Sequence, residues 1–236
     1  MGGACVALAA GPEAAHCNAA GLAEVRSAAA SFSYTYPFGL QELALHSSCV
    51  AVPSTAGCFS AGLISYGFEL YREDSVSLGY ANSIRPGLAV GLNLKASRLT
   101  IERFGTGSAV ALDLGLLAKP TDRFRTGIAA WNILGTRVGG ESLDQSLALG
   151  AAFDPHAHLT LCADAHKDLD RPLQIRCGAE YRLGDLLALS AGAGNAPTEF
   201  SCGLGVRLGH WRFDYAVRTH LVLGLSHALS VAIRRR

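Results

Sequence analysis

Asp164 and His166 stand two residues apart in "HLTLCADAHK", and charged residues recur downstream at Arg176, Glu180, Arg182, Arg207, Arg212, Asp214 and Arg218. A carboxylate and an imidazole at that spacing share one face of an extended strand. They can knit a hydrogen-bond network or touch a ligand. The arginines can grip an anionic head group through charge-assisted bonds. If their role is structural instead, they must form paired ladders, because an isolated charge in a narrow interior is costly. Both roles are open at this point.

Hydrolytic and nucleotide chemistry lack their signatures. The chain contains no G-x-S-x-G, no H-E-x-x-H and no G-x-x-x-x-G-K. Ser230, His227 and Asp214 carry no local pattern that makes them a triad. "GAGNAP" (192–197) has close glycines but no following helix, and reads as a loop. The seven cysteines, at 5, 17, 49, 58, 162, 177 and 202, show neither C-x-x-C nor a zinc spacing with histidine. We expect them to be small apolar filler, with a disulfide or metal role as the alternative. The expectation is a non-enzyme without cofactor or metal. A net charge of +1 offers nothing to nucleic acid.

The elements that hold these residues are strands. In "WRFDYAVRT" (211–219), Trp211, Phe213, Tyr215 and Val217 alternate with Arg212, Asp214, Ala216 and Arg218. "LQIRCGAEYRL" sets Leu173, Ile175, Cys177, Ala179, Tyr181 and Leu183 against Gln174, Arg176, Gly178, Glu180 and Arg182. Similar alternation runs through 27–37, 74–82, 88–96, 109–117, 158–167, 200–208 and 227–236, with weaker segments at 42–52, 57–70, 123–133, 145–153 and 186–194. That amounts to about fourteen strands at the spacing of a membrane barrel. Segments 57–70 and 89–101 are long enough to rise beyond a bilayer. Only 10–24, Ala-rich with Pro12 near its start and Gly21 near its end, suits a short helix.

The open question is which face is inside. In a soluble sandwich the aromatic face is core; in a membrane barrel it meets lipid and the charged face lines the lumen. The chain is 50% hydrophobic but only 17% charged, with 27 glycines, and has no run long enough for a membrane helix. Its less apolar face is rich in Gly, Ala and Ser, which leave room for side chains and a plug inside a closed barrel. In the membrane-barrel reading Leu173, Ile175, Tyr181, Leu204, Val206, Phe213, Tyr215, Leu229 and Val231 are expected outside. Arg176, Glu180, Arg182, Arg207, Arg212 and Asp214 are expected inside.

The chain's ends add a likeness. "MGGACVALAAGPEAAHCNAAGLA", through Gly2, Gly3, Ala4, Val6, Ala7, Asn18, Ala20, Gly21, Leu22 and Ala23, resembles the opening of FadL-like outer-membrane proteins. These comprise the fatty-acid channels, the PorV/PorQ group and a FadL-related group in spirochaetes. "GAEYRLGDLLALSAGAG" (178–194) and "FDYAVRTHLVLGLSHALSVAIR" (213–234) resemble the closing strands. Ala19 stands where these proteins have Pro, Ala10-Gly11 replaces an acidic pair, and the chain ends in three arginines rather than an aromatic residue.

The resemblance implies a closed antiparallel transmembrane barrel of about fourteen strands (25–236) with an N-terminal hatch (1–24) in its lumen. The hatch would rest on Gly2, Gly3, Asn18, Ala20, Gly21 and Leu22, with Asn18 bonding nearby backbone and Gly21 permitting a tight turn. It also implies residence in the outer membrane among its lipids, with a cleaved signal peptide upstream of the Gly-Gly motif. The implied partners are hydrophobic small molecules such as long-chain fatty acids. A PorV-type scaffold for docking secreted proteins is the alternative, and should show long loops.

Overall fold

The computed structural model describes residues 1–138 and 141–235. Fourteen antiparallel strands close into one barrel: β1 Ala29–Tyr36, β2 Leu45–Ser54, β3 Gly57–Phe68, β4 Tyr71–Arg85, β5 Leu88–Ile101, β6 Gly105–Thr121, β7 Phe124–Trp131, β8 Ser146–His156, β9 Leu159–Asp168, β10 Gln174–Leu183, β11 Leu187–Asn195, β12 Thr198–Leu208, β13 Trp211–His220 and β14 Gly224–Arg234. Each strand pairs with its neighbours in sequence, and β1 closes on β14 with Ala29 opposite Arg234. Closure leaves no free sheet edge, the condition for a β-structure to cross a hydrocarbon layer.

The end holding Ala29 and Arg234 is called the near end; its turns are short and mostly polar, among them Pro86-Gly87, Asp122-Arg123 and Gly209-His210. At the far end, most connections are also short. The longest runs from Asn132 to Gln145 and carries a small hairpin pairing Arg137–Val138 with Glu141–Ser142. The wall is uneven in height. β3 to β6 are 12 to 17 residues long, whereas β11 and β12 are 9 and 11.

Facing follows the pleat. Phe213 is flanked by Val206 and Val231, and Tyr215 by Leu204 and Leu229. Phe213 and Tyr215 are each 41% exposed, and Leu173, Ile175, Tyr181, Leu204 and Leu229 are also exposed; Val206 and Val231 are half covered by their neighbours. The band continues around the barrel through Phe59, Leu78, Leu92, Leu114, Ile128, Leu149 and Leu161. An apolar surface of this extent matches lipid rather than water. Phe59, Tyr80, Phe124, Phe153, Tyr181 and Trp211 gather towards the near end as an aromatic girdle. Ile128, midway along β7 between Leu116 and Leu149, is a sensitive probe of this band. Ile128→Arg is expected to destabilise the barrel by about 2–4 kcal/mol in urea-dependent folding into lipid vesicles; an unchanged midpoint would place this face out of the bilayer.

The N-terminal segment adds no strand to the barrel. It folds into the lumen, burying Ala4, Val6, Ala7, Ala14, Ala15, Ala20 and Leu22 against the inner wall. The helix expected over 10–24 is divided. A single turn, α1 (Ala14–Cys17), and a 3-10 stretch (Ala19–Glu24) meet at Asn18, which is extended (φ −151°, ψ 104°). Asn18 breaks the helix because its side chain accepts from the Ala20 N–H, a local bond that competes with helical pairing.

Candidate functional site

A series of glycines on the inner wall brings the segment's backbone against the strands. A Cβ at Gly91 would lie 2.3 Å from the Ala19 carbonyl carbon, at Gly115 2.1 Å from Asn18 Oδ1, and at Gly127 2.4 Å from the Val6 oxygen. At Gly150 it would meet the Ala7 nitrogen at 2.8 Å, and at Gly192 the Gly2 nitrogen at 2.0 Å. Gly79 leaves room for Leu22. The glycine content of the inward face is therefore the imprint of the segment packed on it.

Polar anchors hold the segment there. Asn18, 1% exposed, donates its amide to the carbonyls of Val6 (2.9 Å) and Leu116 (3.0 Å), joining two parts of the segment to β6. Asp164 on β9 accepts from the backbone N–H groups of Cys5 (2.6 Å) and Val6 (2.9 Å). Gly2 donates its N–H to Ser201 at 2.9 Å, and Gly2 and Gly3 both take positive φ at the entry to the segment. At the exit, Lys119 pairs with Glu24 at 2.7 Å. Ala20 and Leu22 are fully buried. Gly21 is needed for close approach rather than for a turn, since a Cβ there would lie 2.3 Å from the Ala9 oxygen.

The structure corrects the reading of two cysteines as filler: Cys5 and Cys17 are joined in a disulfide. Their spacing matches no motif, and they meet because the segment doubles back in the lumen. Cys49, Cys58 and Cys162 are buried free thiols, and Cys177 and Cys202 are exposed ones on the outer face. Thiol titration of the denatured, unreduced chain should count five groups, and seven after reduction. By loop-closure entropy the bond stabilises the folded segment by about 3 kcal/mol, so reduction should raise hydrogen exchange within residues 5–17. Equal exchange before and after reduction would remove that role.

The segment separates two cavities. The far one, about 330 Å³, is lined by Gly3, Val6, His16, Trp131, Ala148, Asp164, His166 and Arg176 together with the disulfide. The Trp131 and His166 rings pack 5.2 Å apart, and the Trp131 indole donates to the His16 carbonyl at 3.3 Å. Burial pulls the His16 imidazole below its ordinary pKa, as a cation there would be poorly solvated. The near cavity, about 420 Å³, is lined by residues 8–14 and by Arg207, Arg212, Asp214 and Arg234. Cys5 and Cys17 line both cavities.

The polar residues singled out from the sequence are thereby dispersed. Asp164, His166 and Arg176 lie in or beside the far cavity; Glu180, Arg182, Arg207, Arg212 and Asp214 lie towards the near end. Arg212 is chelated by Asp214 at 2.9 Å, Arg218 reaches Glu199 at 3.6 Å, and Arg182 donates to the Ala157 carbonyl at 3.1 Å. Asp164 and His166 do not bond each other: His166 turns towards Asp168 at 3.5 Å. Ser230 and Asp214 share the inward face, while His227 bonds the outward Tyr215 hydroxyl at 2.8 Å, so the wall separates these would-be triad members. Sequence reasoning missed Trp131, His16 and the Lys95–Asp113 pair (3.3 Å); the usable signal was the recurrence of Gly, Asn and Asp at inward positions of 91–115.

No family model matches the chain, and no curated protein matches it. Solved structures do. The toluene transporter TbuX of Ralstonia pickettii superposes with a TM-score of 0.76 at 14% identity, covering 100% of this chain and 97% of that one. A Pseudomonas aeruginosa FadL homologue gives 0.72 at 13%, covering 99% and 96%. The Pseudomonas putida toluene transporter TodX gives 0.70 at 13%, covering 98% and 94%. At these identities the likeness shows the fold: the chain has the same barrel architecture as these FadL-type structures.

Proposed function

We propose that the protein is an outer-membrane channel for hydrophobic small molecules, with residues 1–24 as its hatch and 25–236 as its barrel. The observation that carries this reading is the pair of cavities on opposite faces of one bridged segment inside a closed barrel. A molecule captured in the far cavity meets mostly apolar surface, backed by Trp131 and His166. Movement of the segment about its Asn18 and Asp164 anchors would join that cavity to the near one, where Arg207 and Arg212 meet an outgoing polar group.

The ligand class rests on the structural neighbours, whose names make them toluene and monoaromatic hydrocarbon carriers, and on the likeness to fatty-acid channels. For a long-chain fatty acid, Arg176 would take the carboxylate in the far cavity and the acyl chain would extend through the far mouth. Most far-end connections are too short to form a docking platform, which favours a channel over a scaffold. No catalytic constellation among the described residues suggests an enzyme.

The test is titration of the detergent-refolded chain with oleate and with toluene, followed by calorimetry. Saturable binding of at least one is expected; saturable binding of neither turns the reading to the docking scaffold.

A further inference from the structure

The rim of the near end is basic, and its charges are not spent inside the protein. Among the described residues, Arg26, Arg85, Arg123, Arg207, Arg234 and Arg235 are exposed and make no ion pair. The carboxylates left unpaired there are fewer: Asp122, Glu180, Asp185 and Glu13, the last folded back over Gly11. The far end has the opposite excess, with unpaired Glu42, Glu69, Glu73, Glu102 and Asp170 against Arg98, Arg103 and Arg137. Arg207 and Arg212 stand directly opposite each other across the seam between β12 and β13, and Asp214 pairs with Arg212 alone. Like charges in that register repel, and an arriving anion relieves the repulsion.

The strand pleat turns these charges away from the bilayer. Arg207, Arg212 and Arg234 hold inward positions and line the near cavity, whereas their neighbours Leu208, Trp211 and Ile233 face outward and are exposed. A lipid phosphate therefore meets an apolar wall at this level. The charges are also too dispersed for one small ion. Arg207, Arg212 and Arg234 sit on three adjacent strands, while Arg26 and Arg85 line a separate cleft with the Lys119–Glu24 pair. Clefts of one sign focus the field and favour a partner of the other sign. The floor of the near cavity is apolar, formed by Leu8, Ala9, Ala10 and Pro12 with the disulfide. A hydrophobic molecule gains nothing by leaving that floor for water, so an acceptor held at the mouth lowers the barrier to exit. We propose that the near rim is a docking surface for an acidic segment of a soluble acceptor protein. The segment's carboxylates pair with Arg207, Arg234 and their basic neighbours, and an apolar side chain enters the near cavity. The handover of cargo rests on the channel reading above; the docking surface stands without it.

The test uses a rhodamine-labelled acidic peptide, EELEELEE, and its neutral counterpart QQLQQLQQ, on the full chain in phosphatidylcholine nanodiscs, read by fluorescence anisotropy. The acidic peptide should bind saturably and at least about tenfold more tightly than the neutral one, and should weaken about tenfold when salt is raised to about 0.5 M. Arg207→Gln combined with Arg234→Gln should weaken it about tenfold. Arg98→Gln combined with Arg103→Gln, at the far end, should change nothing. Both rim side chains are exposed, so the barrel should close in the rim variant, with unchanged mobility on unheated gels as the check. Equal binding of the two peptides, or acidic binding indifferent to the rim substitutions, overturns the docking surface. Full displacement of the peptide by millimolar phosphate at constant ionic strength overturns it in favour of a small-anion site. Rim-dependent retention of phosphatidylglycerol by the detergent-purified chain, read by native mass spectrometry, overturns it in favour of a lipid headgroup. If oleate or toluene still binds, any of these failures leaves the channel reading standing. Rim-dependent peptide binding with neither oleate nor toluene bound keeps the docking surface and removes the handover.

Discussion

Truncation of residues 1–22 should convert the barrel into an open pore. The segment contributes no strand: all fourteen ladders, including the β1–β14 closure, form without it. What it supplies is lumen filling, with Val6, Ala20 and Leu22 buried against the inner wall. The truncated chain should therefore still fold into detergent, migrating as a compact species on unheated gels. In planar bilayers it should show steady conductance, and vesicles containing it should swell in small sugars, where the full chain shows little of either. A fourteen-stranded barrel is wide enough to leave a water-filled channel once its interior is emptied. A truncated barrel that stays closed would show that the wall's own side chains block the lumen, and the hatch assignment would go.

A substitution at the docking point should release the segment without unfolding the wall. Asn18→Leu removes the side chain that serves two carbonyls and the Ala20 N–H at once. Leaving such buried groups unpaired costs about 1–3 kcal/mol each, so the docked state should lose about 3 kcal/mol, roughly a hundredfold in its population ratio. Gly115→Ala attacks the same contact from the wall, since its Cβ would stand 2.1 Å from Asn18 Oδ1. Both variants should raise hydrogen exchange across residues 5–22 and bring pore-like conductance, with the urea midpoint of the barrel nearly unchanged. Exchange as slow as in the parent chain, in both variants, would mean that the segment is held elsewhere.

The sequence by itself determined the wall. Alternation is local: Trp211, Phe213 and Tyr215 must face the opposite way from Arg212 and Asp214 in any extended strand, and the likeness at the chain's ends, added to small residues on the polar side, made lipid the solvent expected for the aromatic one. Strand limits were legible to within a few residues for the same reason, with 57–70 and 89–101 observed as 57–68 and 88–101. The likeness of the N-terminal stretch to FadL-like openings also placed Asn18 among the residues to watch.

Depth in the lumen was not legible. Arg176 and Arg212 look equivalent in sequence, as inward cations on neighbouring hairpins, yet one lies beside the far cavity and the other in the near cavity. Their levels depend on the stagger of the strands and on where an unrelated segment crosses the barrel, and neither quantity is encoded in a period of two. The Cys5–Cys17 bond, the glycines that admit the segment's backbone and the division of Asp164 between two N–H groups and an unpartnered oxygen all arise from that crossing. They are contacts between residues far apart in the chain, and only the folded barrel brings them together.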